Sequence, residues 1–151
     1  MMRQIKLALV LACLFSADVY AGVTVIQPLH FGEFIVRNND SVHTITVNTG
    51  GVVTYDSGFI EINPIGQDGI YDLDGMTPST AIASVTITQV IPLSGSGENF
   101  QMDTFQETHP ASTDVAGVAR IRVGGNANTS GNGNPYLDQT YNGQLQIQIN
   151  F

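Results

Sequence analysis

From Ala81 to the end of the chain, apolar and polar residues alternate in three clear runs. Ala81, Ala83, Val85 and Ile87 are interleaved with Ser84, Thr86 and Thr88; Ala119, Ile121 and Val123 with Arg120 and Arg122; and Leu145, Ile147, Ile149 and Phe151 with Gln144, Gln146, Gln148 and Asn150. A period of two gives a strand one dry and one wet face, as a sheet covered on one side requires. Shorter β-like runs cover Thr24 to Ile26, Phe31 to Val36, His43 to Val47, Val52 to Tyr55, Phe59 to Ile62 and Phe100 to Phe105. Between them fall Asn38-Asn39-Asp40, Thr49-Gly50-Gly51, Ser94-Gly95-Ser96-Gly97 and Asn142-Gly143, residues that supply the positive φ of tight turns. No stretch shows a helical repeat. The pattern predicts an all-β chain, an immunoglobulin-like β-sandwich of about 7–9 antiparallel strands, with a small barrel as the second architecture. Gly124 to Gly133, GGNANTSGNG, reads as a flexible loop.

The first 21 residues follow a different rule. Arg3 and Lys6 precede an apolar run from Leu7 to Phe15, and a more polar stretch ends Val19-Tyr20-Ala21. Charge, apolar core and small-x-small site in that order predict a secretory signal peptide cleaved before Gly22, leaving residues 22–151 as one domain. The apolar run is too short for a membrane span, which needs about 20 residues. Cys13, the one cysteine, sits inside that run and leaves with it, so no disulfide is available. Cleavage removes Arg3 and Lys6 from the five basic residues and Asp18 from the thirteen acidic ones. That leaves three arginines, no lysine and twelve carboxylates, a net charge of −9. Such a surface repels phosphate backbones and anionic headgroups, so nucleic acid is not an expected partner. Strands this short also argue against an outer-membrane barrel, whose spans need about 9–11 residues.

Four segments together resemble a known bacterial family: LHFGEFIV at Leu29 to Val36, TITVNTGGVV at Thr44 to Val53, ARIRVGGNANTSGN at Ala119 to Asn132, and YNGQLQIQINF at Tyr141 to Phe151. The family is that of domain of unknown function 4402. A family element of the form PAxFxVxG is replaced here by Pro78 to Ile87 without the closing glycine. The resemblance implies an exported surface protein, similar in its last strand to pilin subunits handled by periplasmic chaperones, and it brings no catalytic residues. On that basis the expected function is a pilin-like or fimbrial subunit of the cell surface that assembles by β-strand complementation with other subunits or a chaperone. Its assembly strands would carry Val23 and Val25 at the N-terminal end, and Leu145, Ile147, Ile149 and Phe151 at the C-terminal end. The alternative for both segments is that they are the first and last strands of a complete sandwich.

A second functional class is a self-contained secreted or periplasmic binding module, an adhesin that stacks sugars on Tyr55, Tyr71, Tyr136 and Tyr141. Chemistry beyond that is sparse. Asp68, Asp72 and Asp74, with Gly69 and Gly75, place three carboxylates in a short glycine-flanked segment that calcium could use, and an ordinary solvated turn has the same composition. No other cofactor is expected. His30, His43 and His109 have no metal-ligand spacing, and no serine stands in a hydrolase elbow, so no enzymatic activity is expected.

Overall fold

The computed structural model describes residues 22–63 and 66–151; the expected signal peptide lies outside the described residues. Among these the chain forms ten strands, one more than the upper expectation: β1 (Gly22–Gln27), β2 (Glu33–Val36), β3 (Thr44–Val47), β4 (Val53–Tyr55), β5 (Phe59–Asn63), β6 (Gly69–Asp74), β7 (Ser84–Ser94), β8 (Gln101–Thr108), β9 (Ala119–Asn128) and β10 (Asn142–Asn150). All pairings are antiparallel, and the architecture is a β-sandwich.

The spine is β9. Its N-terminal half, Ala119 to Val123, pairs with β6, and its C-terminal half, Gly125 to Asn128, pairs with β3. Residues Arg122 to Asn128 also pair with β8, so β8 occupies one edge of β9 while β6 and β3 lie end to end along the other. β1 extends the sheet beyond β6, and β4 extends it beyond β3. The predicted dry face of this strand is confirmed, for Ala119, Ile121 and Val123 are at most 1% exposed. Two ribbons cover that face. β2–β5 packs Phe34, Val36 and Phe59 against Ile45, Val47 and Ala127; β7–β10 packs Val85, Ile87, Ile147 and Ile149 against Leu73, Ile121 and Val123. Leu29, Phe105 and Leu145 touch both clusters and join them.

Three expectations are corrected. The glycine-rich segment after Val123 is not a loop: β9 runs straight through Gly124 and Gly125 to Asn128. These glycines serve close approach, because a Cβ on Gly124 would stand 2.4 Å from the Val47 carbonyl oxygen, at the handover from β6 to β3. The Asp68–Gly75 segment is not a turn either; it is strand β6, held between β1 and β9. Ala81 and Ala83 are exposed and Ile82 is buried, because this stretch makes a bridge at Ala81↔Ser112 before β7 begins, and regular alternation starts only at Val85.

The remainder of the supposed loop is tied down by Asn39, which is 4% exposed. Its Nδ2 donates to Ser130 Oγ at 2.8 Å and to the Asn134 carbonyl at 2.9 Å, with Asn132 Oδ1 at 3.0 Å, while its Oδ1 accepts from Gly131 N at 2.8 Å. Gly133 N donates to the Asn39 carbonyl at 2.7 Å. A buried amide thus does for residues 130–134 what a ladder does for a strand. Replacing Asn39 by Ala strands several of these polar groups, and each orphaned buried group costs about 1–3 kcal/mol. The Asn39→Ala chain is expected to unfold at a clearly lower urea midpoint with an unchanged m-value; an unchanged midpoint would show that the network contributes nothing.

Candidate assembly site

The site is built from backbone rather than from reactive side chains. β10 pairs with β7 along one edge, in regular register from Leu145↔Gln89 to Asn150↔Ser84, and no described strand lies on its other edge. Six strands read in chain order, β1, β6, β7, β8, β9 and β10, map onto A to F of an immunoglobulin sandwich. β1–β6–β9–β8 reproduces the A-B-E-D sheet and β7–β10 the C-F pair, with β2 to β5 inserted between A and B. Strand G, which should border F, is not present among the described residues.

The side chains around that position fit a missing neighbour. β7 and β8 meet at both ends of one side of the sandwich, through mutual Leu93–Phe100 backbone bonds of 3.0 Å and through Ile82 N to the Ala111 carbonyl at 2.9 Å. β1 and β10 therefore border the opposite side. Val23 stands across the ladder from buried Leu73, and Val25 across from Tyr71, so both valines point toward the core layer. Yet they are 58% and 56% exposed, left uncovered by the described residues of the second layer. Leu145, Ile147 and Ile149 are only half-buried, and Phe151 is 61% exposed. Of the two N-terminal and four C-terminal assembly residues read from sequence, the valines are held in β1 by β6, and the C-terminal four line β10 and its end.

This edge carries no charge, as is also true of the edge strands β1 and β4. Neither β7 nor β10 contains a single charged residue, although the chain from Gly22 carries −9. Exposed edges are ordinarily blunted by charges, proline or inward-pointing carboxylates. The β7–β8 side shows such devices: Pro92 in β7, a bulge in β8 with Thr104 at φ 48°, and Glu107, which lines a cleft of about 590 Å³ with Val85, Ile87 and Phe105. Gln89 spans that cleft, its Nε2 donating to Gln101 Oε1 at 2.8 Å. From Leu145 to Asn150, β10 has none of these.

The other sequence candidates are placed elsewhere. Asp68 accepts from Arg122 Nε at 2.7 Å, and Asp72 accepts from Arg120 Nε and Nη2 at 2.7 and 2.8 Å. Both carboxylates are occupied by cross-strand arginines. Asp74 lies further along β6, and the described residues include no group of three or more His, Asp or Glu placed to hold a metal. The bidentate Arg120 guanidinium holds the Asp72 carboxyl below its ordinary value. Among the four tyrosines, Tyr136 packs 4.2 Å from Phe100 and donates to the Asn99 carbonyl, Tyr141 stands edge-on to Phe100, and Tyr71 packs into the core, which leaves Tyr55 as the exposed ring. Phe34 backs that ring edge-on at 5.1 Å.

One arrangement escaped sequence reasoning. His43 Nδ1 lies 2.9 Å from Asp56 Oδ1, and its Nε2 lies 2.8 Å from Asn38 Oδ1 and 3.3 Å from Ser41 Oγ. Asp56 also accepts from Thr44 N and Gly58 N at 2.9 and 2.8 Å. The imidazole thereby braces the β2–β3 connection against the β4–β5 turn, and a side chain on Gly58 would collide with its ring. No spacing rule exposes it, since Asp56 comes from the next hairpin.

The fold and its open edge define the class: an immunoglobulin-type β-sandwich whose last described strand, β10, is uncharged and paired along one edge. The family model for the Domain of unknown function (DUF4402) matches residues 22–151, and the chain belongs to that family. No curated protein and no solved structure matches it. No described helix is long and apolar enough to cross a membrane.

The brace carries a pH signature. Burial pushes the Asp56 carboxyl up, but the N–H groups of Thr44 and Gly58 and the nearby His43 together hold it below its ordinary value. A carboxyl depressed in the folded state stabilises above its unfolded value, and that contribution is lost as pH falls through the folded value. Asp56→Ala is therefore expected to lower the melting temperature at neutral pH and to converge with wild type at acid pH. Parallel melting curves at every pH would contradict the brace.

Proposed function

We propose that this protein is an exported structural subunit, pilin-like in its mode of assembly, whose sandwich is completed by an extended strand from another polypeptide. The observation that carries the reading is the free edge of β10 at the strand-G position, uncharged, bordered by half-buried Ile147 and Ile149 and facing uncovered Val23 and Val25. An incoming strand would gain main-chain bonds from β10 and bury alternate side chains over these four residues, the mode of β-strand addition. A chaperone and a neighbouring subunit are the natural donors for such an edge, and the secretory leader read from residues 1–21 would deliver the chain to a place where they can meet it. The adhesin reading is weaker on geometry, since Tyr71, Tyr136 and Tyr141 are partly buried against the core.

The test is thermal melting of residues 22–151 with synthetic peptides that carry Val or Ile at every second position. A peptide at a hundred times its Kd adds about 2.7 kcal/mol, equivalent to roughly 5–10 °C for a domain of this size. A rise of that order, abolished by Ile147→Lys, supports strand addition. A monomer that melts at one temperature whatever alternating peptide is supplied contradicts it.

A further inference from the structure

The edge strand β1 poses a problem of attachment. It pairs only with β6, through Gly22↔Asp74, Val23↔Leu73, Thr24↔Asp72 and Val25↔Tyr71, then slips register at Ile26. Its apolar side chains add little, since Val23, Val25 and Ile26 are all more than half exposed. A six-residue edge strand held by so little should fray from its outer end.

At that end stands an unusual pairing. Gly22 faces Asp74, and a Cβ on Gly22 would fall 2.2 Å from Asp74 Oδ1, so a side chain here would push the carboxylate aside. The Asp74 carboxylate is exposed and makes no hydrogen bond or ion pair among the described residues, whereas Asp72, two residues along the same strand, is engaged by Arg120. β6 thus aims an unmatched anion at the Cα of Gly22. Arg120 and Arg122 on the neighbouring strand are paired with Asp72 and Asp68, and the chain from Gly22 has no lysine.

We propose that proteolytic processing between Ala21 and Gly22 creates the missing partner: the new α-ammonium of Gly22 pairs with Asp74 and locks β1 onto β6. Hydrolysis of that peptide bond consumes one water and leaves a carboxylate on Ala21 and an ammonium on Gly22, so the charge arises from the cut itself. The inference rests on the export reading of residues 1–21 and is independent of strand addition at β10. Its consequence for assembly is directional. A β1 fixed in this way is strand A of its own sandwich, so the chain takes a strand along β10 and keeps its own first strand. The titratable groups facing the ammonium are Asp74 and, one pair further in, Asp72 with its Arg120; β1 pairs with no other described strand.

The absence of lysine makes the test clean, because after processing the α-amine is the sole primary amine in the chain. The full chain is expressed with its own leader, and the exported product is analysed by intact mass and then by acylation with an amine-reactive ester across pH. The proposal expects a product starting at Gly22. It also expects acylation of the Asp74→Asn protein at neutral pH to be about three-fold faster than wild type, the scale of an exposed ion pair. Gly22→Ala, whose methyl displaces the Asp74 carboxylate, should show the same acceleration with the fold intact by circular dichroism. A chain that is not exported, or that keeps its leader, overturns the export reading and the proposal together, and an exported product with another first residue overturns the proposal alone. A Gly22 start with equal acylation rates in wild type and both variants overturns the ammonium–Asp74 pair alone.

Discussion

Every backbone N–H and C=O buried in a sheet must find a partner, and the way this chain meets that demand shapes the whole molecule. β9 meets it on both edges, with β8 on one side and β6 and β3 sharing the other, and its inward side chains are accordingly among the most buried of the described residues. β10 meets it on one edge only. Between these extremes lie the fold's two characters: a central strand so enclosed that glycine is needed where neighbouring backbones touch, and a last strand whose outer row of donors and acceptors is turned to solvent. The family to which the chain belongs is defined over this same span, residues 22–151.

Side-chain chemistry follows that division. Polar residues in the interior and on the β6–β9 face are spent on structure: Asn39 secures residues 130–134, His43 and Asp56 brace two connections, and Arg120 and Arg122 cancel Asp72 and Asp68 across strands. The β7–β10 ribbon carries no charge and keeps hydroxyls and amides on its outer face. The two sides of the sandwich are therefore unequal. One is sealed at both ends by backbone bonds and furnished with proline, a bulge and an inward carboxylate, and the other is left plain.

The all-β class, the dry face of Ala119 to Val123 and the alternation of the last strand are legible in the sequence because each obeys a period of two with one side buried. What was not legible arises where local composition and tertiary context disagree. Asp68 to Gly75 has the makeup of a turn, yet Gly69–Asp74 is a strand held between β1 and β9, with Arg120 and Arg122 pairing Asp72 and Asp68. Gly124 and Gly125 look like punctuation, but they are glycine because Val47 and Phe105 come too close for a side chain. Ala81 and Ala83 continue the alternation of Val85 and Ile87 on paper, while the bridge to Ser112 turns Ile82 inward instead. The open edge was visible only as an apolar last strand. Its meaning emerged from the strand order, which no local pattern encodes.

The central claim is that the sandwich is one strand short at β10, and hydrogen exchange resolved to single amides tests it most directly. Alternate N–H groups of an antiparallel strand point to opposite edges. In the isolated chain, amides of Leu145 to Asn150 directed at β7 should exchange slowly and those directed away should exchange fast, with the fast set becoming protected when a donor strand binds. Uniform slow exchange along β10 in the isolated monomer would mean that the edge is already paired, and would contradict the account.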